Sequence, residues 1–131
     1  MSEPWANGIG AITLFVDDVA SAKAFYLEAF ELPVHFEDDV SCVFKFGPTL
    51  VNLLATSEAG ELIEPEPVGA AGGGARFQLT VDVADVDAVC ARLAGRGVEL
   101  LNGPIDRPWG VRTAAFRDPA GHVWEVAAPV R

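Results

Sequence analysis

Polar side chains at alternate positions of two β-prone segments could line a charged binding surface. Arg76, Gln78 and Thr80 alternate with apolar residues, so they share one face of a predicted strand. Glu125 lies between two apolar residues and has the same kind of position on the last predicted strand. Because a buried charge is stable only when it is paired, we expect Arg76 and Glu125 to pair with each other or to contact a ligand. The alternative is that both side chains lie in water at the rim of the sheet.

An aromatic turn is the second candidate for ligand contact. Pro108-Trp109-Gly110 is a rigid turn that presents an indole near the start of a predicted strand, where it can stack on a planar or cationic group. Arg112 follows on that strand as a further candidate ligand-binding residue. The alternative places Trp109 in the core beside the turn. Trp124, on the strand face opposite Glu125, is predicted to pack beneath a helix.

The sequence lacks the motifs of the common hydrolytic and nucleotide-binding sites. The sequence has no Gly-x-Ser-x-Gly elbow, GxGxxG loop or Walker loop, and only His35 and His122 could act as imidazole bases. Cys42 and Cys90 are isolated in apolar surroundings, which indicates buried thiols rather than a disulfide or a metal site. We therefore predict no catalytic residue and no cofactor.

The elements that would position these residues occur twice along the chain. In the first half, alternation of apolar residues predicts a strand, helical periodicity predicts a helix between Asp18 and Pro33, and three further strands follow. These elements are predicted at 12–16, 19–30, 34–37, 40–46 and 49–55. The second half repeats the order, with a strand at 76–81, a helix from near Asp85 to Gly95 or Gly97, and strands at 98–101, 111–116 and 122–127.

Leu14, Val16 and Asp17 match Leu79, Val81 and Asp82 at an offset of 65 residues, which supports a duplication. We predict one α+β domain of two βαβββ modules, at about 8–57 and 75–128, whose curved mixed sheets surround a cleft. The linker at 58–74 is rich in Glu and then in Gly, so it can let the modules pair within one chain or between two. The alternative is a solvated surface loop.

Charge is distributed unevenly between the halves. The net charge is −10, and residues 1–75 hold twelve Asp and Glu against Lys23 and Lys45, whereas the remainder sums to zero. An excess of negative charge repels nucleic acid and anionic membranes and favours a cationic ligand. The sequence has no targeting segment and no apolar run long enough to span a bilayer, so we expect a cytoplasmic protein.

From Ile9 to Ala127 the chain resembles the vicinal oxygen chelate superfamily, which includes glyoxalase I, extradiol dioxygenases and bleomycin resistance proteins. The resemblance lies in the doubled βαβββ order and in three sequence motifs. These are Phe15-Val16-Asp17-Asp18, Ala24-Phe25-Tyr26, and Asp118-Pro119-Ala120-Gly121-His122-Val123-Trp124-Glu125.

Catalytic members of this superfamily hold a divalent metal with His or Glu residues on the first and last strand of each module. The resemblance places these four positions at Ala11, Asn52, Arg76 and Glu125. Alanine has no donor atom, and a guanidinium would repel a metal ion. We therefore predict that this metal site is lost.

The segments around Trp109 and Asp118 are especially similar to bleomycin resistance proteins, which lack the metal, dimerise, and sequester a cationic glycopeptide between subunits. The first hypothesis is a homodimeric, metal-independent binder of a small cationic or aromatic molecule. Trp109 would stack on the ligand, Asn52 and Gln78 would hydrogen bond, and Arg76 would orient Glu125.

Two alternatives remain. One is an enzyme of the same superfamily, a metal-dependent lyase, isomerase or dioxygenase, or a metal-free enzyme with Glu125 as general base. The other is an interaction module whose cavity is filled by its own side chains.

Overall fold

The computed structural model describes residues 6, 8–75 and 77–130, and it contains the same order of elements twice. The first module consists of β1 (Ala11–Val16), α1 (Val19–Phe30), β2 (Val34–Glu37), β3 (Ser41–Phe46) and β4 (Thr49–Ala55). A 3₁₀ turn (Thr56–Glu58) and the short helix α2 (Gly60–Ile63) follow. The second module consists of β5 (Gln78–Asp82), α3 (Val86–Gly95), β6 (Leu100–Asp106), β7 (Val111–Arg117) and β8 (Val123–Pro129).

Each module forms a four-stranded mixed sheet. The strand orders are β1-β4-β3-β2 and β5-β8-β7-β6, so the first and last strands of each module pair in parallel and the others pair antiparallel. The register places Leu14 opposite Leu53 in the first sheet and Leu79 opposite Trp124 in the second. The predicted α+β fold class with two βαβββ modules is confirmed.

Local sequence sets the beginnings of both long helices. Asp18 has an extended backbone, and its carboxylate accepts a 3.1 Å hydrogen bond from the backbone N–H of Ser21. Asp85 does the same for Ala88 at 3.1 Å. An aspartate at this position satisfies an amide that has no partner within the helix. The first helix has the predicted bounds, and the second begins at Val86, directly after Asp85.

The two sheets share one core. Alternate residues of both sheets, together with one face of α1 and of α3, form a single buried cluster. Phe46 of β3 stacks on Trp124 of β8 with a centroid separation of 5.1 Å, and Phe30 of α1 lies 4.7 Å from the same indole. Trp124 therefore packs beneath a helix, as predicted. Because side chains alternate along a strand, the remaining residues of each sheet point away from this core. We call these two surfaces the outward faces.

A buried polar cluster, which we call the junction cluster, joins the modules. Tyr26 of α1 donates a 2.8 Å hydrogen bond to Asp118 Oδ2 in the β7–β8 turn, and the Trp124 indole N–H donates to Tyr26 Oη at 3.0 Å. His122 Nδ1 lies 2.9 Å from Asp118 Oδ2. A carboxylate can only accept, so His122 Nδ1 carries the hydrogen. The backbone N–H groups of Ala120 and His122 complete the shell around the carboxylate at 3.0 and 2.8 Å.

These contacts set the ionisation of the cluster. Burial would raise the pKa of Asp118, but the hydrogen bonds from His122 and Tyr26 outweigh it, so the pKa lies below the ordinary value of 3.8. Burial and the Asp118 carboxylate both raise the pKa of Tyr26 far above its ordinary value of 10.0. The cluster therefore holds an anionic Asp118 and a neutral Tyr26 near pH 7.

Several strands differ from their predicted bounds, and the differences in β6 and β5 change where side chains lie. The segment 102–104 was predicted as a turn but lies inside β6, where the pairing with β7 shifts register. Gly103 has a φ of 88°, and a Cβ on it would lie 2.7 Å from the Cα of Ala114, so the missing side chain lets β6 pass close to β7. β5 begins at Gln78 rather than at residue 76. Phe77 was predicted to share a buried strand face with Leu79, but it precedes the strand and is 51% exposed.

Within the described residues, no helix has the length and apolar character needed to cross a membrane.

Candidate functional site

Polar side chains gather on the outward face of the second sheet. Thr80 on β5 lies opposite Glu125 on β8, and Thr80 Oγ1 donates a 3.0 Å hydrogen bond to Glu125 Oε1. Glu125 is half-buried. Among the described side chains, Thr80 is its one hydrogen-bond donor. Since a carboxylate can accept about four hydrogen bonds, the described residues use only a small part of the acceptor capacity of Glu125.

A guanidinium lies on the same face. Arg107, just after β6, folds back so that Nε donates to Thr113 Oγ1 at 2.9 Å and Nη2 donates to Asn102 Oδ1 at 3.3 Å. Within the part of the chain that the structure describes, it makes no ion pair with a carboxylate. Sequence reasoning missed Arg107 as a site residue. A usable signal is that Arg107 and Thr113 flank one turn, where a long side chain can reach back along the strand.

Trp109 occupies the tip of the β6–β7 turn. The backbone N–H of Gly110 donates to the carbonyl of Arg107 at 3.1 Å, and Arg107 N–H donates to the carbonyl of Val111 at 2.7 Å, so the turn is well ordered by its own hydrogen bonds. The Trp109 side chain is 70% exposed. The alternative that placed this indole in the core is wrong, and the ring is available to stack on another group.

Arg112 lies on the other face of the second sheet. Its guanidinium pairs with Asp87 of α3 at 3.0 Å and with Asp106 of β6 at 2.9 Å. Hydrogen bonds with Asp106 and Asp87 raise its pKa above the ordinary value. The strand alternation separates Arg112 from Glu125, and its charge is satisfied within the chain, so Arg112 does not join the other candidate residues.

The remaining candidates are divided between the two sheets. Gln78 begins β5 on the same outward face as Thr80 and is exposed. Asn52 of β4 lies opposite Thr13 on the outward face of the first sheet. Its Oδ1 atom is buried and has no hydrogen-bond partner among the described residues. Arg76 lies outside the described residues, so the structure does not describe the predicted pair with Glu125.

The metal positions implied by the family resemblance can be compared with this geometry. Ala11 begins β1 and offers no donor atom. Asn52 and Glu125 lie on the outward faces of different sheets, with the shared core between them. Among the described residues, no group of three or more His, Cys, Asp or Glu side chains is arranged to hold a metal ion. The residues at these positions of one chain therefore do not fit a divalent metal.

Comparison with known proteins is consistent with the fold. The family model described as "Glyoxalase/Bleomycin resistance protein/Dioxygenase superfamily" matches residues 8–126. The uncharacterized protein YraH of Bacillus subtilis (strain 168) is 32% identical over 119 residues, which cover 88% of this chain and 93% of YraH.

Two solved structures of similar proteins carry different descriptions. Lactoylglutathione lyase from Agrobacterium tumefaciens has a TM-score of 0.74 and 28% identity, over 95% of each chain. TnmS3, an antibiotic binding protein from Streptomyces sp. CB03234, has a TM-score of 0.72 and 28% identity, over 98% of this chain and 100% of TnmS3. One description is of an enzyme and the other is of a binding protein. The matched residues and the two βαβββ modules show that this chain belongs to the glyoxalase/bleomycin resistance protein/dioxygenase superfamily.

Proposed function

We propose that this protein binds a small aromatic or cationic molecule without a metal and sequesters it in the cytoplasm without catalysis. The observation that carries the proposal is the half-buried carboxylate of Glu125, which one hydroxyl of the described chain contacts. A carboxylate that is partly removed from water and incompletely hydrogen bonded binds an ammonium or another donor strongly. The excess of acidic residues, a net charge of −10, attracts such a ligand from solution.

Neighbouring side chains would define the shape of the ligand. The exposed Trp109 indole supplies a flat surface for a ring. Gln78 offers an amide on the outward face that carries Glu125. We propose that Arg76, which the sequence pattern predicts to pair with Glu125, orients this carboxylate through one oxygen and leaves the remaining acceptor capacity to the ligand. Arg107 adds a cation held by Thr113 and Asn102, so the outward face carries both signs of charge.

We further propose that two copies of the chain complete the site. In one chain the outward faces of the two sheets point away from the shared core, so Asn52 and Glu125 cannot line one cleft. A homodimer in which the outward face of the first sheet meets that of the partner's second sheet would bring these surfaces together. Residues 1–75 carry the whole net charge of −10 and the remainder is neutral, so such a contact avoids opposing two acidic surfaces.

Calorimetric titration of metal-stripped protein with bleomycin, a cationic glycopeptide, and with small aromatic amines tests this proposal. We expect saturable binding at low salt that weakens as salt is added. Glu125→Gln should reduce the affinity about tenfold or more, because it removes the charge that the ligand contacts. Glu99→Gln makes the same charge change at an exposed residue of the same half and should leave the affinity unchanged.

Absence of binding by every probe at low salt contradicts sequestration. Elemental analysis of protein purified without added metal or chelator tests the enzymatic alternative. Stoichiometric Ni, Zn, Fe or Mn would favour a metal-dependent lyase, isomerase or dioxygenase over the proposed binder.

A further inference from the structure

Two opposite charges lie on the outward face of the second sheet and do not pair with each other. The carboxylate of Glu125 accepts a hydrogen bond from Thr80. The guanidinium of Arg107 donates instead to Thr113 and Asn102. Within the part of the chain that the structure describes, no ion pair joins Arg107 to Glu125. One surface of the sheet therefore holds a cation and an anion apart.

The strand register sets the distance between these charges. Ala115 of β7 lies opposite Glu125 on one side and opposite Asn102 on the other. Thr113 precedes Ala115 by two residues on β7, so Thr113 and Glu125 are diagonal neighbours on the same face. Diagonal neighbours in an antiparallel pair lie roughly 7–8 Å apart. Since Arg107 Nε lies 2.9 Å from Thr113 Oγ1, a small molecule can span the gap from the guanidinium to the carboxylate.

Small residues occupy the surface between the charges. Ala127 of β8 lies opposite Thr113, as Ala115 lies opposite Glu125. The two alanines are 8% and 2% exposed, respectively. A methyl group is much shorter than the side chains of arginine and glutamate, so neither alanine places a bulky group between the charges. A flat apolar group that lies over these methyl groups leaves water, which favours binding.

The guanidinium of Arg107 is held in place and has free donors. A guanidinium has five N–H donors, and the bonds to Thr113 and Asn102 use only two of them. The planar arrangement of the others suits a carboxylate. Arg117 lies on the same outward face at the end of β7, but its side chain is exposed and can be solvated by water. Arg107 is therefore the better oriented partner for an anionic group.

We propose that the ligand of this face is a zwitterion, an aromatic ring that carries both an ammonium and a carboxylate group. The ammonium would donate to Glu125, the carboxylate would accept from Arg107, and the ring would lie between them and stack on Trp109. This inference rests on the proposed function, because it concerns the same site, and it adds an anionic group to the ligand. A ligand with an ammonium alone brings a cation towards the guanidinium, whereas a zwitterion gives both charges a counter-ion.

Three probes with a common ring test this assignment. 4-(Aminomethyl)benzoate carries both charges, benzylammonium carries the positive one alone, and benzoate carries the negative one alone. In calorimetric titrations of metal-stripped protein at pH 7, the zwitterion should bind about tenfold more tightly than benzylammonium, because it gains charge-assisted hydrogen bonds from Arg107. Benzoate should bind most weakly, since the net charge of −10 repels it. Equal affinities for the zwitterion and either singly charged probe would overturn the proposal.

Arginine variants provide the matched control. Arg107→Gln should weaken the binding of 4-(aminomethyl)benzoate about tenfold and should not weaken that of benzylammonium, because only the zwitterion contacts the guanidinium. Arg117→Gln removes the same charge from the same face and should leave both affinities nearly unchanged. Equal effects of the two substitutions on the zwitterion would show that only overall charge matters, and would contradict the assigned role of Arg107.

Thr113 acts as a positioning residue and provides an independent test. Thr113→Val keeps the shape of the side chain but removes the hydroxyl that accepts from Arg107 Nε. It should weaken the binding of 4-(aminomethyl)benzoate several-fold and leave benzylammonium unchanged, whereas Thr113→Ser, which keeps the hydroxyl, should preserve both affinities. These variants still decide if Arg107→Gln does not fold. An equal loss of affinity for both probes in Thr113→Val would contradict the positioning role.

Benzylammonium separates this inference from the proposed function on which it rests. If Glu125→Gln weakens benzylammonium binding but the zwitterion binds no more tightly than benzylammonium, the proposed function stands and the zwitterion is overturned. Benzylammonium binding that Glu125→Gln leaves unchanged contradicts the proposed role of Glu125. Absence of binding by all three probes contradicts both proposals.

Discussion

Two carboxylate–hydroxyl pairs in this molecule have similar geometry but different surroundings. Asp118 accepts the Tyr26 hydroxyl at 2.8 Å, and Glu125 accepts the Thr80 hydroxyl at 3.0 Å. The Asp118 side chain is fully buried and also receives hydrogen bonds from His122 and from two backbone N–H groups. Glu125 is half-buried and receives the Thr80 bond alone among the described side chains.

The difference distinguishes a structural group from a binding group. A buried carboxylate that its own chain satisfies stabilises the fold, and it has little capacity left for a ligand. A carboxylate that is partly desolvated and incompletely bonded contributes less to folding but can bind a donor. We therefore expect substitutions at the junction cluster to change stability, and substitutions around Glu125 to change binding.

The largest expected effect is that of Asp118→Ala. It removes the acceptor shared by Tyr26 and His122 and leaves buried donors without partners. We expect a loss of about 3–5 kcal/mol in the free energy of unfolding, measured by urea denaturation. Glu125→Ala is the matched substitution in the Thr80–Glu125 pair, and it should lower the free energy of unfolding by about 1 kcal/mol or less. Equal losses would contradict the distinction between the two pairs.

Tyr26→Phe should have the next largest effect. The ring and its packing remain, but the hydroxyl that connects Asp118 and the Trp124 indole is lost, so we expect a loss of about 1–3 kcal/mol. The pKa of Tyr26 is raised in the folded state, so wild-type stability should fall as the pH rises above about 10, where only the unfolded chain loses this proton. Urea denaturation at several alkaline pH values should show a smaller decline for Tyr26→Phe. An unchanged decline would contradict the assignment of the proton to Tyr26.

Acid should also destabilise the protein through the same cluster, here by protonating Asp118. The pKa of Asp118 is lowered in the folded state, so its contribution to stability is present above the ordinary value of 3.8 and is lost as the pH falls through the folded value. We expect the urea midpoint of wild-type protein to drop more steeply below pH 4 than that of Asp118→Asn. If the urea midpoints of the two proteins fall equally below pH 4, carboxylates other than Asp118 determine the acid sensitivity of the fold.

The smallest expected effect on stability is that of Thr80→Val. This substitution keeps the shape of the side chain and removes the single described hydrogen bond to Glu125. Because both groups can contact water, the free energy of unfolding should change by less than about 1 kcal/mol. Bleomycin affinity, measured by calorimetry, should change more than stability does. A large loss of stability with unchanged affinity would show that the Thr80–Glu125 pair has a structural role, like the junction cluster, and does not bind the ligand.

Residues whose environment depends on local periodicity were predictable from the sequence. The bounds of α1 and the burial of Trp124 followed from apolar spacing, from Asp18 and Pro33, and from strand alternation. The extent of β6 did not follow, because a Gly-Pro pair that favours a turn lies instead in a shifted pairing with β7. Only the neighbouring strand determines which of these occurs.

The candidate site was predictable in part for the same reason. Strand alternation placed Gln78 and Glu125 on one face, and the structure agrees. The distinction between Arg107 and Arg112 depends on a partner that is distant in the sequence. Arg112 forms an ion pair with Asp87 of α3, whereas Arg107 donates a hydrogen bond to Thr113. The shared core between the sheets, which separates Asn52 from Glu125, is likewise a consequence of tertiary packing.

The most direct test follows the side-chain carboxyl carbons of Glu125 and Asp118 by nuclear magnetic resonance while bleomycin is added to metal-stripped protein. The account predicts that the Glu125 signal moves in a saturable way and that the Asp118 signal stays in place. A saturated complex in which the Glu125 signal does not move, or in which only Asp118 responds, would contradict it.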